Sequence, residues 1–331
     1  MRIACGRREF IAGIASIAAV CSLARAQQPD RKRIGVLVGL PADDSVGAAE
    51  MTAFVQELDK LGWPANSIEL AYRWAGADVE FVETFAKELV AERPDVLLAR
   101  GTPAVSALKR ETNTIPIVFT AVSEPVATGL IGSLARPGGN ITGFAGLEPS
   151  IAGKWIDLLK EIAPSVARVG LLFNPSTAPV AGHYMQSAQA AAASLSIEFL
   201  AMPVRSDDEI EEAVRVLAEK PNSGLVGLND SFNIEHRKTI IEAANRHHLP
   251  AIFQFPLFPA DGGLMSYGID SVELFPRVAA YIDRILRGEK AGDLPVQQPA
   301  KFTLVINLKS AKALGLNVPP TMLTRADEVI E

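Results

Sequence analysis

The stretch RIGVL at residues 33–37 returns in altered form as RVGLL at residues 168–172. A second pair, IPIVF at 115–119 and LPAIF at 249–253, follows in the same order in each half. Apolar runs of this kind, followed by segments whose apolar residues recur every three or four positions, predict strands that alternate with helices. The fold class predicted is therefore α/β, with two open parallel-sheet lobes joined by a hinge of crossover segments.

Short runs rich in Val, Ile and Leu predict eight strands, at residues 33–39, 67–72, 95–99, 116–121, 168–173, 196–202, 223–228 and 250–254. Apolar residues at helical spacing predict three buried helix faces. These faces are Met51, Phe54, Leu58 and Leu61; Phe81, Phe85 and Leu89; and Ile151, Trp155, Leu158 and Ile162. Aliphatic and aromatic stripes of this type indicate core packing.

No linker rich in Pro, Gly or Ser separates the two halves, so short crossovers are expected near residues 143–148, 265–270 and 294–299. The helix of Leu274, Val278, Ile282 and Ile285 would then return to the first lobe, and the run FTLVIN at 302–307 to the second. Lobe 1 is therefore predicted to comprise residues 31–146 plus about 268–294, and lobe 2 residues 147–267 plus about 295–331.

The N-terminal residues have the pattern of an export signal. Arg7 and Arg8 precede an uncharged stretch at 10–24, and Ala24-Arg25-Ala26 offers a small-x-small cleavage pattern. This predicts a signal peptide at residues 1–26, cleaved after Ala26, and a periplasmic protein without stable membrane insertion. Arg7-Arg8-Glu9-Phe10-Ile11 resembles a twin-arginine motif, which leaves both export routes open. Lipidation of Cys21 is the disfavoured alternative, because Ala18 and Val20 replace the usual flanking residues.

Removal of residues 1–26 leaves 28 basic and 37 acidic side chains, a net charge of −9. This acidic balance argues against nucleic acid as a partner. Both cysteines, Cys5 and Cys21, lie in the removed segment, which excludes a disulfide, a thiol nucleophile and a thiolate metal site in the mature chain. The fold must therefore rest on its hydrophobic core.

Polar side chains follow corresponding strands in the two halves. Since ligands bind outside the carboxyl ends of strands in open parallel sheets, we expect these loops to form one cleft for a small polar molecule. The candidate ligand-binding residues are Gly101, Thr102, Ser123, Glu124, Asn174, Thr177, Asn229, Asp230 and Phe255. For each polar residue among them, helix capping is an equally valid interpretation.

The sequence contains only weak matches to catalytic or cofactor-binding motifs. The histidines His183, His236, His247 and His248 form no HExxH motif, and neither a Walker loop nor a dinucleotide-binding glycine motif occurs. Ser106-Ala107-Leu108-Lys109 matches a short acylating-enzyme pattern, but the sequence has neither Ser-Asp-Asn nor Lys-Thr-Gly to complete it. We expect no catalytic residue, no metal and no cofactor.

The candidate cleft also predicts a ligand class. Helix N-termini after Thr102, Ser123 and Ser231 offer amide donors for a carboxylate, and Asp230 offers a partner for an ammonium group. Four phenylalanines lie close in sequence to the loops of the second half, namely Phe232, Phe253, Phe255 and Phe258. The combination favours an aromatic or branched amino acid or an aromatic carboxylate. If Asp230 instead caps a helix, the ammonium preference disappears.

Longer segments carry a resemblance to a known family. They are RREFIAG (7–13), RPDVLLARGTPAVSALK (93–109), IPIVFTAVSEPVATGLIGSLARPGGNITGF (115–144), PSIAGKWIDLLKEIAP (149–164), VGLLFNP (169–175), GGLMSYG (262–268) and KFTLVINLKSAKALGLNVPP (301–320). In these segments the chain resembles ABC transporter substrate-binding proteins of the tryptophan/tyrosine-binding type, which have the type I periplasmic binding fold. Glu124 departs from the Asp that is common before Pro125 in that family, which puts a ligand role for this position in doubt.

The resemblance implies a protein that captures a small molecule between two hinged lobes and delivers it to an ABC permease with a separate ATPase subunit. Ligand identity varies within the family, so its name does not assign a substrate. Two alternatives remain open: a periplasmic ligand sensor, and a periplasmic hydrolase or isomerase that uses the carboxylates of Asp230 and Glu124. A transcriptional regulator would need a DNA-binding helix pair where this chain has a leader.

Overall fold

A computed structural model describes residues 31–331. The predicted signal peptide at residues 1–26 lies outside the described residues. The first sheet has five parallel strands in the order β2-β1-β3-β4-β5. They are β1 (Lys32–Val38), β2 (Ile68–Trp74), β3 (Val96–Arg100), β4 (Ile117–Val122) and β5 (Ile141–Ala145). All five residues of β3 are buried, because helices cover both faces of a parallel sheet.

The second sheet has seven strands in the order β12-β11-β10-β9-β8-β6-β7. They are β6 (Arg168–Phe173), β7 (Glu198–Pro203), β8 (Ser223–Gly227), β9 (Ala251–Phe253), β10 (Met265–Gly268), β11 (Thr303–Asn307) and β12 (Glu328–Ile330). The order β7-β6-β8-β9 repeats the order β2-β1-β3-β4, so the internal repeat and the α/β fold class are confirmed. β10 pairs antiparallel with β11, a departure from a fully parallel sheet.

Twelve α-helices occur within residues 31–331. They are α1 (Ser45–Lys60), α2 (Val79–Ala91), α3 (Thr102–Glu111), α4 (Ile151–Ile162), α5 (Ala181–Ser194), α6 (Asp207–Ala218), α7 (Ser231–Glu235), α8 (Arg237–Arg246), α9 (Leu257–Ala260), α10 (Phe275–Leu286), α11 (Leu308–Ala313) and α12 (Pro320–Arg325). None of these helices is both long enough and apolar enough to cross a bilayer.

We call the five-stranded sheet with α1–α3 and α10 the first lobe, and the seven-stranded sheet with its helices the second lobe. Helix α10 packs against α1 although more than 200 residues separate them. Trp63, just after α1, donates its indole N–H to Asp283 of α10 at 2.8 Å, and the Arg287 guanidinium donates to the Leu61 carbonyl at 3.0 Å. The segment at 303–307 forms β11 of the second sheet.

The predicted inner face of α2 is wrong at Phe81, whereas Leu89 is buried as predicted. Phe81 is 55 % exposed, and the buried positions of the helix are Val82, Ala86 and Leu89. Both sets have helical spacing, and the larger aromatic side chains misled the sequence interpretation. Phe81 stacks on Phe85, with ring centroids 5.9 Å apart, and the half-buried Phe85 packs against the core.

We expect the two faces of α2 to respond differently to truncation. Val82→Ala should lower the free energy of unfolding by about 2 kcal/mol, because it leaves a cavity in a fully packed site. Phe81→Ala should lower it by less than about 1 kcal/mol, because most of that ring is already in water. Urea denaturation of both variants measures the difference, and equal losses would contradict the assignment of faces.

Candidate functional site

The loops at the carboxyl ends of the two sheets meet in one small cavity of about 30 Å³, which we call the interlobe cavity. Six of the predicted ligand-binding residues line it: Gly101, Thr102, Ser123, Thr177, Asn229 and Asp230. The first three belong to the first lobe and the others to the second. The arrangement follows from the parallel topology, which places the ends of β3, β4, β6 and β8 at the edges that face each other.

The N-terminus of α3 forms one wall of this cavity. Gly101 is its N-cap at φ +93°, a conformation that favours glycine, and no side chain caps the helix. Thr102 is 9 % exposed, and its hydroxyl has no hydrogen-bond partner within residues 31–331. Backbone amides in the first helical turn lack partners in the helix. This wall can therefore accept an anionic group such as a carboxylate.

Asp230 forms the opposite, acidic wall. Its carboxylate accepts hydrogen bonds from the Asn233 amide at 2.7 Å, the Asn174 amide at 3.1 Å and the Thr177 hydroxyl at 3.2 Å. Burial raises the pKa of Asp230 to about 6, although the same hydrogen bonds oppose the rise. The Phe232 amide is a fourth donor to this carboxylate. Since a carboxylate has about four acceptor sites, Asp230 caps α7 with its acceptor sites filled, and a ligand donor would have to share or displace one of these partners.

Tyr184 was not predicted, yet it also lines the cavity. Its hydroxyl lies 2.8 Å from the Ser123 hydroxyl, across the lobes, and donates to the Leu147 carbonyl. The ring stacks on Trp155 with an interplanar angle of 3°, and burial raises the pKa of Tyr184. Ser123 therefore joins the lobes in addition to lining the cavity.

A buried ion pair lies beneath the first wall. The Arg100 Nε and Nη2 atoms donate to the two Glu50 carboxylate oxygens at 2.5 and 3.0 Å, and both side chains are at most 3 % exposed. Arg100 ends β3 and is one of the residues that line the cavity. The pair was missed because its partners are 50 positions apart, and nothing in the local pattern links them.

Three predicted residues, all within the described part of the chain, lie outside the cavity lining. Asn174 accepts the amides of Ser176 and Thr177 with its side-chain oxygen, which is a local turn contact. Glu124 has a φ of +53° and lies 3.7 Å from His183 of the second lobe. Phe255 is 2 % exposed and belongs to the core.

The other three phenylalanines near the second-lobe loops are also core residues. Phe232, Phe253 and Phe258 are each at most 4 % exposed, and the last two stack with centroids 4.2 Å apart. They do not supply an aromatic wall to the interlobe cavity. Within residues 31–331, no group of three or more His, Cys, Asp or Glu side chains is arranged to hold a metal ion.

Known proteins resemble the chain over most of its length. A tyrosine-binding protein of Clostridioides difficile (strain R20291) is 26 % identical over 289 residues, which cover 86 % of this chain and 81 % of the relative. A conserved domain protein from Vibrio cholerae is 30 % identical with a TM-score of 0.84, covering 90 % of this chain and 99 % of that one.

A third structure, an ABC domain from Streptococcus pneumonia in complex with L-Trp, is 25 % identical with a TM-score of 0.82. The match covers 91 % of this chain and 100 % of that one. The model of one protein family, the ABC transporter substrate binding proteins, matches residues 33–330. Two lobes around a shared polar cavity fit that description, and the chain belongs to this family of ABC transporter substrate-binding proteins.

Proposed function

We propose that this protein captures an aromatic amino acid in the interlobe cavity and delivers it to an ABC permease that a separate ATPase subunit drives. The observation that carries the proposal is that one cavity is lined by both lobes, with amide donors on one wall and a carboxylate on the other. A ligand that touches both lobes stabilises their closed arrangement by population shift. The lobes would comprise residues 31–146 with about 268–294, and residues 147–267 with about 295–331.

The two charged ends of an amino acid match the two walls in chemistry. The cavity of about 30 Å³ holds little more than one water molecule, so the lobes must separate to admit such a ligand. The α-carboxylate would accept hydrogen bonds from the Thr102 hydroxyl and the amides that begin α3, while the α-ammonium would donate to Asp230. Gly101, Ser123, Thr177 and Asn229 complete the polar lining.

The support for an aromatic side chain on the ligand differs from the support that the sequence offered. The four phenylalanines are buried in the core, so they no longer favour it. Tyr184 lines the cavity together with the apolar segment Ala178–Ala181 and Ile234. The relatives named for tyrosine and crystallised with L-Trp supply the remaining support.

Calorimetric titration with tryptophan, tyrosine, leucine and their deaminated analogues tests the ligand class. We expect saturable binding of at least one aromatic amino acid, and weaker binding of the analogue without the ammonium group. Binding of a sugar or an inorganic anion, with no amino acid bound at millimolar concentration, would contradict the proposal. A mass spectrum of small molecules released from the denatured protein gives an independent identification.

Thr102→Val should weaken ligand binding by about 1 kcal/mol, because it removes one hydrogen-bond donor from a buried wall at nearly constant side-chain volume. Thr102→Ser, which keeps the hydroxyl, serves as the matched control and should bind nearly as the wild type does. Titration of both variants measures the effect, and urea denaturation checks that the unliganded proteins are equally stable. Equal losses of stability and affinity would mean that Thr102 acts only in the fold.

We further propose export to the periplasm with cleavage after Ala26, and no catalysis of a bound molecule. N-terminal sequencing of the protein from a periplasmic extract should find Gln27 first, whereas an acylated Cys21 would contradict this. Chromatography of an incubated ligand should return it unchanged, and turnover would favour a hydrolase or isomerase. Capture of a membrane receptor or kinase rather than a permease would favour a sensor.

A further inference from the structure

Helix α7 of the second lobe lies directly against glycines of the first. A Cβ atom on Gly39 would be 3.2 Å from the Ser231 hydroxyl, and one on Gly76 would be 3.1 Å from the Glu235 carboxylate. The Glu235 carboxylate also accepts the Ala77 amide at 2.7 Å. A side chain at either glycine would therefore have to displace its neighbour in the other lobe by a few tenths of an ångström.

Arg237, the first residue of α8, adds an ion pair to this contact between the lobes. Its Nη1 atom donates to the Asp44 carboxylate at 2.6 Å, and its Nε atom donates to Asp261 of its own lobe at 2.7 Å. The Arg237 and Asp44 side chains are 10 % and 3 % exposed. Asp261 thus holds the guanidinium in place, and Asp44 is its partner across the lobes.

We propose that these contacts form a closing seam that sets ligand affinity without touching the ligand. The seam consists of Gly39, Gly76, Asp44, Glu235 and Arg237, none of which is among the residues that line the interlobe cavity. Arg237 is its positioning residue. This inference rests on the proposed capture between two lobes, but not on the identity of the ligand.

The physical basis is the equilibrium between open and closed lobes. If only the closed arrangement holds ligand with both walls, the apparent dissociation constant rises as the closed fraction falls. A charge pair that is desolvated in the closed arrangement and hydrated in the open one biases this equilibrium even where no ligand atom is near. The seam can therefore change affinity while the cavity lining stays the same.

Asp44→Asn isolates the cross-lobe part of the contact. Asp44 also caps α1 by accepting the amides of Val46 and Gly47 on Oδ1, and asparagine caps a helix as well as aspartate does. The matched control is Asp78→Asn, because Asp78 caps α2 of the same lobe in the same way and has no partner across the lobes within residues 31–331.

The inter-lobe distance can be measured by fluorescence transfer between two labelled cysteines, since the mature chain has none of its own. Lys87→Cys on α2 and Glu242→Cys on α8 place the labels at exposed sites, one in each lobe. We expect Asp44→Asn to increase this distance and to weaken binding of the tightest aromatic amino acid at least tenfold. Asp78→Asn should leave both unchanged.

Gly39→Ala tests the seam without altering a charge. The lobe distance rather than the affinity is its readout, because the new Cβ would also lie 3.3 Å from the carbonyl of Arg100, which lines the cavity. Unchanged distances in Asp44→Asn and in Gly39→Ala would overturn the seam, whatever the ligand is. A wild-type distance that no amino acid alters would overturn the proposed ligand instead. Loss of stability in Asp44→Asn beyond that in Asp78→Asn, with an unchanged distance, would mean that the pair acts only in folding.

Discussion

Arg100→Met, with Glu50 left in place, is expected to lower the free energy of unfolding by about 3–5 kcal/mol. The Glu50 side chain is 1 % exposed, and its two carboxylate oxygens accept hydrogen bonds from the Nε and Nη2 atoms of Arg100. Methionine removes both donors and leaves a buried, unpaired charge beneath the cavity wall. Urea denaturation of the variant and of the wild type measures the loss.

The double variant Glu50→Leu with Arg100→Met should recover most of that loss, because two apolar side chains replace the pair without leaving a charge behind. Arg110→Met is the surface control: its ion pair with Glu83 is half exposed, so its removal should cost about 1 kcal/mol or less. A similar loss in Arg100→Met and Arg110→Met would contradict the burial of the Glu50 pair.

The stability of the wild type relative to Asp230→Asn should fall as the pH rises from 4 to 7. Burial raises the pKa of Asp230 from 3.8 to about 6, so the folded protein retains a proton that the unfolded chain has lost. The favourable contribution is therefore complete below pH 4 and is lost as the pH rises through about 6. With 1.36 kcal/mol per pKa unit, the total change is about 3 kcal/mol.

Urea denaturation of both proteins at several pH values between 4 and 7 tests this sign. The difference between them cancels the titration of all groups that the variants share. Asparagine keeps one acceptor oxygen for the Asn233 amide but carries no charge in this range. Parallel pH profiles would contradict a raised pKa at Asp230, and an opposite slope would mean that its hydrogen bonds outweigh burial.

The strands that the sequence predicted are those with an apolar pattern contained within a few consecutive residues. β1, β6 and β8 are continuous apolar runs bounded by turn residues, and they were found within two residues of their ends. β5 was missed because Thr142 and Gly143 interrupt the apolar run of Ile141–Ala145. One contact of this strand is distant in sequence: the Thr142 hydroxyl donates to the Leu294 carbonyl, 152 positions away. β10 and β12 are only four and three residues long. Strands this short are defined by pairing with a neighbouring strand, and both β10 and β12 pair with β11.

The residues of the candidate site also fall into two groups, those that the sequence could predict and those that it could not. The loops that line the cavity follow from topology, since parallel strands of both halves end at facing edges. Tyr184 and Arg100 follow instead from side-chain packing between distant elements. Asp44 and Arg237 carry no signal in a local window, because their contact exists only when the lobes meet.

The position of α10 has a consequence for how the chain is assembled during synthesis. The helix spans Phe275–Leu286, yet it covers α1, which precedes it by more than 200 residues. A nascent chain that ends before α10 would hold all five strands of the first sheet with the side of α1 that contacts α10 in water. Contacts of such long sequence separation form slowly and late. The first lobe, although made first, must therefore remain an incomplete folding unit until most of the second has been translated.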